Sequence, residues 1–132
     1  MSAYPSRSSL AAYRSVAAHS RVDASDPHGL IVMLMDGALE RVASARGAME
    51  HGDNEVKNRL IHRAVAIVQE LRASLNMEAG GEIAANMGDL YDYCGRQLVR
   101  ANSENRPEML DEVGNLLREI RGAWIQIPAQ LR

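Results

Sequence analysis

"SDPHGLIVMLMDGALERVASARGAMEHGDNE", residues 25–55, sets the fold class. Asp26 can cap a helix whose first residue is Pro27, a pairing that favours helix initiation. Beyond it, Leu30, Ile31, Leu34, Met35, Ala38, Val42, Ala45 and Met49 share one broad face when advanced by 100° per residue. The pattern predicts a helix to about Glu50. "HGDNE" interrupts it, and Asp53 is placed to cap the next helix.

The same reading extends toward the C-terminus. A second helix over about 54–77 carries Val56, Leu60, Ile61, Ala64, Ile67, Val68, Leu71 and Leu75, with Gly80-Gly81 as its stop. A third, from Glu82 to about Asn102, aligns Ile83, Met87, Leu90, Tyr91, Cys94, Leu98 and Ala101. "NSENRP" is the next turn. A fourth helix presents Met109, Leu110, Val113, Leu116, Leu117, Ile120 and Trp124, and Pro128 ends it. The expected fold is all-α: an antiparallel up-down-up-down four-helix bundle with an additional short N-terminal helical segment. Residues 1–25 are expected to form a partly mobile capping segment, with Leu10, Tyr13 and Ala17 at helical spacing. The bundle proper is assigned to 26–128 and a tail to 129–132.

A chain of 132 residues can bury a core of its own, and this core must be aliphatic, because there is no Phe and only one Trp against seven Met. Fifteen basic and 17 acidic residues are intermixed, so no basic stripe suggests nucleic acid. One cysteine, Cys94, cannot form an intramolecular disulfide and suits a reducing compartment. The longest apolar run, "LIVMLM" at 30–35, is far shorter than the ~20 residues a bilayer span needs. No secretory leader is recognisable near the N-terminus, and the expected location is the cytosol.

Catalytic or metal chemistry finds little support. Di-metal bundles use Glu-x-x-His pairs, and none occurs; His19, His28, His51 and His62 are never three or four residues apart. The acidic pair in "DLYDY", 89–93, lies about 180° and 240° from Ile83 and is expected to face solvent or a partner. Cys94 falls inside the apolar arc and reads as a small buried hydrophobe. No catalytic triad, phosphate loop or acid/base carboxylate pair is discernible. The chain is expected not to be an enzyme and to need no cofactor.

Surplus apolar surface is the anomaly. Val32 and Leu39 fall about 200° and 180° from Leu30, and Met33 about 300°, outside an arc of about 140° that would face the core. Tyr93 lies about 60° beyond its own helix's apolar arc. Two explanations are open. Either the N-terminal segment covers this surface permanently, or it is a groove for a partner.

Several stretches together resemble the flagellin-specific export chaperones of the FliS family: "ASDPHGLIVMLMDGAL" (24–39), "GGEIAANMGDLYDYC" (80–94), "LVRANSEN" (98–105) and "LLREIRGAW" (116–124). "EHGD" and "AIVQELRASLN" fit the same order, so the likeness spans roughly residues 10–127. Two positions depart from the family pattern, Met35 in place of an aromatic and Cys94 in place of Met. The resemblance implies a small cytosolic chaperone that binds the C-terminal segment of flagellin, prevents premature polymerisation and assists delivery to the type III export apparatus. It uses neither ATP nor metal, and the N-terminal segment occupies part of the binding surface when flagellin is absent. The export-gate component is a second partner to be considered, and the free state is expected as a monomer or weak homodimer. The residues expected to contact flagellin are Tyr13, Leu30, Val32, Met33, Leu34, Leu39, Leu90, Tyr91 and Tyr93. A structural adaptor for another flagellar or secretion component is the rival reading.

Overall fold

A computed structural model of the chain describes residues 26–126. It contains four helices: α1 (Pro27–Glu50), α2 (Asn54–Ala73), α3 (Met77–Glu104) and α4 (Pro107–Gln126). Tyr13 and the whole proposed N-terminal segment lie outside the described residues, as does the proposed tail.

The helix starts follow from their caps. Asp26 accepts a hydrogen bond from the His28 backbone N–H at 3.0 Å, Asp53 from Val56 at 3.2 Å, and Asn76 from Ala79 at 3.0 Å. The last of these corrects the expected boundaries. α2 stops at Ala73 rather than near residue 77, and Ser74 closes it by donating from Oγ to the Leu71 carbonyl at 2.7 Å. Gly80-Gly81 therefore does not separate two helices. It lies inside α3, where Gly81, at φ 52° and ψ −124°, bends the helix after its first turn. That backbone conformation is open only to glycine.

Each helix packs against two others, α1 on α2 and α4, and α3 on α2 and α4, with the diagonal pairs apart. The short connections make neighbours antiparallel. At one end of the bundle Lys57, near the start of α2 and only 4 % exposed, donates from Nζ to the Asn102 carbonyl (3.1 Å) and Asn105 Oδ1 (2.7 Å) at the end of α3. A cation there also suits the negative end of the helix dipole. At the other end Trp124 of α4 donates from Nε1 to the His28 carbonyl at 3.2 Å and stacks on the His28 ring, centroids 5.0 Å apart.

The core is aliphatic, as its composition requires. Leu34, Met35, Ala38, Val42 and Ala45 of α1 meet Ile61, Ala64, Ile67, Val68 and Leu71 of α2. Met87, Tyr91, Cys94, Leu98 and Ala101 of α3 meet Leu110, Val113, Leu117 and Ile120 of α4. Two residues expected on the inner face of α3 are not there: Ile83 is 45 % exposed and Leu90 38 %. Ala84 and Gly88 are buried in their stead, which turns the inward face by about 30°. Gly88 faces the segment that joins α2 and α3: a Cβ there would stand 3.4 Å from the Leu75 side chain, in van der Waals contact.

Candidate partner-binding surface

The expected contact residues do not converge on one groove. Leu30, Val32, Met33 and Leu39 lie on α1, whereas Leu90, Tyr91 and Tyr93 lie on α3, the helix diagonally across the bundle. Leu34 and Tyr91, each 1 % exposed, are core residues in this structure. Leu30, Val32, Met33 and Leu39 are half-buried, and Leu39 packs against the core. At 100° per residue, Val32 and Leu39 share a flank of α1 with Asp36 and Arg46. Those two side chains pair with Arg121 (2.7 Å) and Asp111 (2.6 Å) of α4, so that flank runs along the α1–α4 seam.

On α3 the apolar surface is more open. Of the five large hydrophobic side chains exposed among the described residues, four belong to this helix: Met77 (55 %), Ile83, Leu90 and Val99 (56 %). They leave on two flanks. Leu90 and Ile83 turn toward the side where Tyr93 donates its hydroxyl to Glu112 Oε2 of α4 (2.8 Å) and Gln97 donates to Glu112 Oε1 (3.0 Å). Val99 and Met77 border α2, where the surface is concave. One hollow of about 760 Å³ is lined by Val65, Val68, Gln69 and Arg72 of α2, and by Tyr91, Gly95, Arg96, Val99 and Arg100 among others of α3. A second, of about 430 Å³, continues it past Gln69 and Arg72 to Leu75, Met77, Ala85 and Gly88. Helical spacing alone did not disclose this groove, because it is lined jointly by α2 and α3, whose juxtaposition no single helix period reveals. A Cβ added at Gly95 would meet nothing within 4 Å.

Three neighbouring groups of α3 are shifted toward their protonated forms. Cys94 is fully buried, and burial, with a smaller contribution from the charge of Glu112, pushes its thiol up to about 12. Burial likewise raises the Tyr91 hydroxyl. The Tyr93 hydroxyl is raised chiefly by its hydrogen bond to Glu112, which favours the protonated phenol. Asp92 pairs with Arg96 at 3.2 Å on the outer face and Asp89 is exposed, in line with their expected outward direction. Among the described residues no three His, Cys, Asp or Glu side chains gather where they could hold a metal ion. Nor is any described helix long and apolar enough to cross a membrane.

The sequence model of the family described as Flagellar protein FliS matches residues 9–131, nearly the whole chain. The chain belongs to the FliS family. It is 44 % identical over 124 residues to the Flagellar secretion chaperone FliS of Vibrio cholerae, covering 94 % of this chain and 91 % of the relative. To the Flagellar secretion chaperone FliSB of Pseudomonas aeruginosa it is 45 % identical over 112 residues, covering 85 % and 89 %. The FliS of Salmonella typhimurium matches at 42 % over 121 residues, covering 91 % and 90 %. FliS is a family of flagellar secretion chaperones and not of enzymes, and its place is in flagellum assembly. The two departures from the family pattern, Met35 and Cys94, are both 0 % exposed, so they alter core packing and leave the outer surface of α3 as it is.

Proposed function

We infer that this chain is an export chaperone that binds the C-terminal segment of flagellin, keeps it from polymerising and assists its delivery to the flagellar type III export apparatus. What supports this beyond family membership is the concentration of exposed apolar side chains on α3: Met77, Ile83, Leu90 and Val99. A filament subunit must carry apolar helical stripes in order to assemble, and a chaperone must offer apolar surface to cover them. Covering one large side chain fully is worth ~1.5–3 kcal/mol, and ordering the cargo segment costs several kcal/mol in return. Such a balance gives a complex that protects yet releases. Leu90 and Tyr93 lie on this surface, with Leu30, Val32, Met33 and Leu39 as a separate, half-covered patch on α1.

The test is calorimetric titration with a peptide copying the flagellin C-terminus, paired with light scattering of flagellin under polymerising conditions. The expected result is one-to-one binding and delayed polymerisation. Absence of binding by the full-length protein would remove the reading.

A further inference from the structure

We propose that the α3–α4 edge is a docking site for a basic amphipathic helix of a second protein, which excludes the cargo from Leu90 and so favours its release. The release rests on the flagellin reading; the docking site stands without it. Along α3 run Ile83 and Leu90, 45 % and 38 % exposed and two helical turns, or about 10 Å, apart. One position before each stand Glu82 and Asp89, both exposed, on the outer side of the stripe at 100° per residue. Along α4 run Glu112 and Glu119, both exposed, with half-buried Leu116 between them. Tyr93 and Gln97 hold Glu112 from α3, which fixes that row beside the apolar stripe. Carboxylates thus border the apolar centre on both sides. Every row repeats after seven residues, the period of an amphipathic helix laid along the edge.

The surrounding charges do not cancel this border. Between residues 77 and 126 nine carboxylates stand against five arginines, a balance of −4 where the whole chain has −2. Arg96, Arg100 and Arg106 lie beyond Leu90, toward the turn into α4, and pair with Asp92, Glu104 and Glu108. Arg121 pairs with Asp36 of α1, and Arg118 donates to Asn115 Oδ1 at 2.9 Å. Among the described residues no ion pair reaches Glu82, Asp89, Glu112 or Glu119. These four carboxylates repel an acidic helix, and equally the same edge of a second copy of this chain. A helix whose leucine stripe is bordered by Lys or Arg matches both the apolar centre and its rim. Such a helix covers Leu90, so it and the cargo exclude each other there.

The experiment uses the full-length protein and two labelled helical peptides of about 15 residues, identical in their leucine stripe but bordered by Lys in one and Glu in the other. Fluorescence anisotropy should show the Lys peptide binding at least about tenfold tighter at low salt, with most of that preference lost at high salt. Glu119→Lys and Glu82→Lys should each weaken the Lys peptide by about fivefold or more, whereas Glu40→Lys on α1 should leave it within about twofold of the parent. Leu90→Ala should weaken it at low and high salt alike. Unlabelled flagellin tail should displace it. Equal binding of the two peptides, binding of neither, or equal effects of Glu119→Lys and Glu40→Lys would overturn the site. If the Lys peptide bound only after Arg7→Glu, Arg14→Glu and Arg21→Glu were combined, the occupant would be the chain's own N-terminal residues and the outside partner would be overturned. Tail and Lys peptide bound at the same time would overturn the exclusion. A tail that does not bind, beside a Lys peptide that does, removes the flagellin reading and the release with it, and leaves the docking site standing.

Discussion

α1 and α3 look alike as sequences: each carries more apolar residues than one inward face can hold. In the bundle they are treated differently. The surplus of α1 at Val32, Met33 and Leu39 is half-buried, and its α4-facing flank is fastened by the Asp36–Arg121 and Arg46–Asp111 pairs. The surplus of α3 at Met77, Ile83, Leu90 and Val99 stands open. An apolar excess in the sequence therefore does not by itself mark a binding surface. What the neighbouring helices leave uncovered does.

Truncating the same residue type on the two helices breaks or confirms this contrast most sharply. Leu34→Ala on α1 empties a site 1 % exposed and should cost ~2–5 kcal/mol of unfolding free energy, read from chemical denaturation. Leu90→Ala on α3 should leave stability within ~0.5 kcal/mol while weakening binding of the flagellin tail. Equal destabilisation by the two would mean that Leu90 belongs to the core.

A second contrast lies within α3, between Cys94 and Tyr91, both buried, and Tyr93 beside them. The Cys94 thiol is raised from its ordinary 9.0 to about 12 in the folded protein. Between those values the folded state holds a proton that the unfolded chain has lost, so stability should fall as pH rises from about 9 toward 12. The raised Tyr91 hydroxyl acts in the same direction. Thermal melts across that range check the sign, and a stability that rises with pH would contradict the burial of both groups. At neutral pH, Cys94 should react with thiol reagents only as fast as the protein opens. Rapid full labelling without denaturant would place it at the surface.

The smallest effect should come from the α1–α4 fastening. Asp36→Asn removes one exposed ion pair and should change stability by less than ~1 kcal/mol, diminishing further at high salt. A larger, salt-resistant loss would show that the seam holds the α1 patch closed, and would sharpen the difference from α3.

Much of this was legible in the chain. Asp26-Pro27, Asp53 and the 3.6-residue recurrence of Leu, Ile and Val announced the helices. The inward direction of Cys94 and the outward direction of Asp89 and Asp92 followed from the same period. The break between α2 and α3 was misplaced, because two consecutive glycines resemble a terminator, whereas Asn76 supplies the actual cap. Ile83 and Leu90 were set in the core because size and hydrophobicity favoured them over Ala84 and Gly88. Of the expected contacts, Leu90 is exposed on α3 and Tyr93 bonds to Glu112 beside it, whereas Leu34 and Tyr91 are buried, because helical period gives a residue's direction and not how deeply its neighbours cover it.

The sequence by itself determined the helical class, the starts of α1 and α2, the aliphatic core and the family. Each of these depends on contacts within a turn or two, or on residue order alone, and such information survives in one dimension. Only the tertiary structure decided that α1 and α3 lie diagonally apart, that α3 is rotated to bury Ala84 and Gly88, and that α2 and α3 leave a trough rimmed by Arg72, Arg96 and Arg100. Those outcomes depend on how closely two helices approach, which is set by pairs of residues far apart in sequence. A periodicity count treats each helix by itself, so the groove could emerge only once the helices were packed.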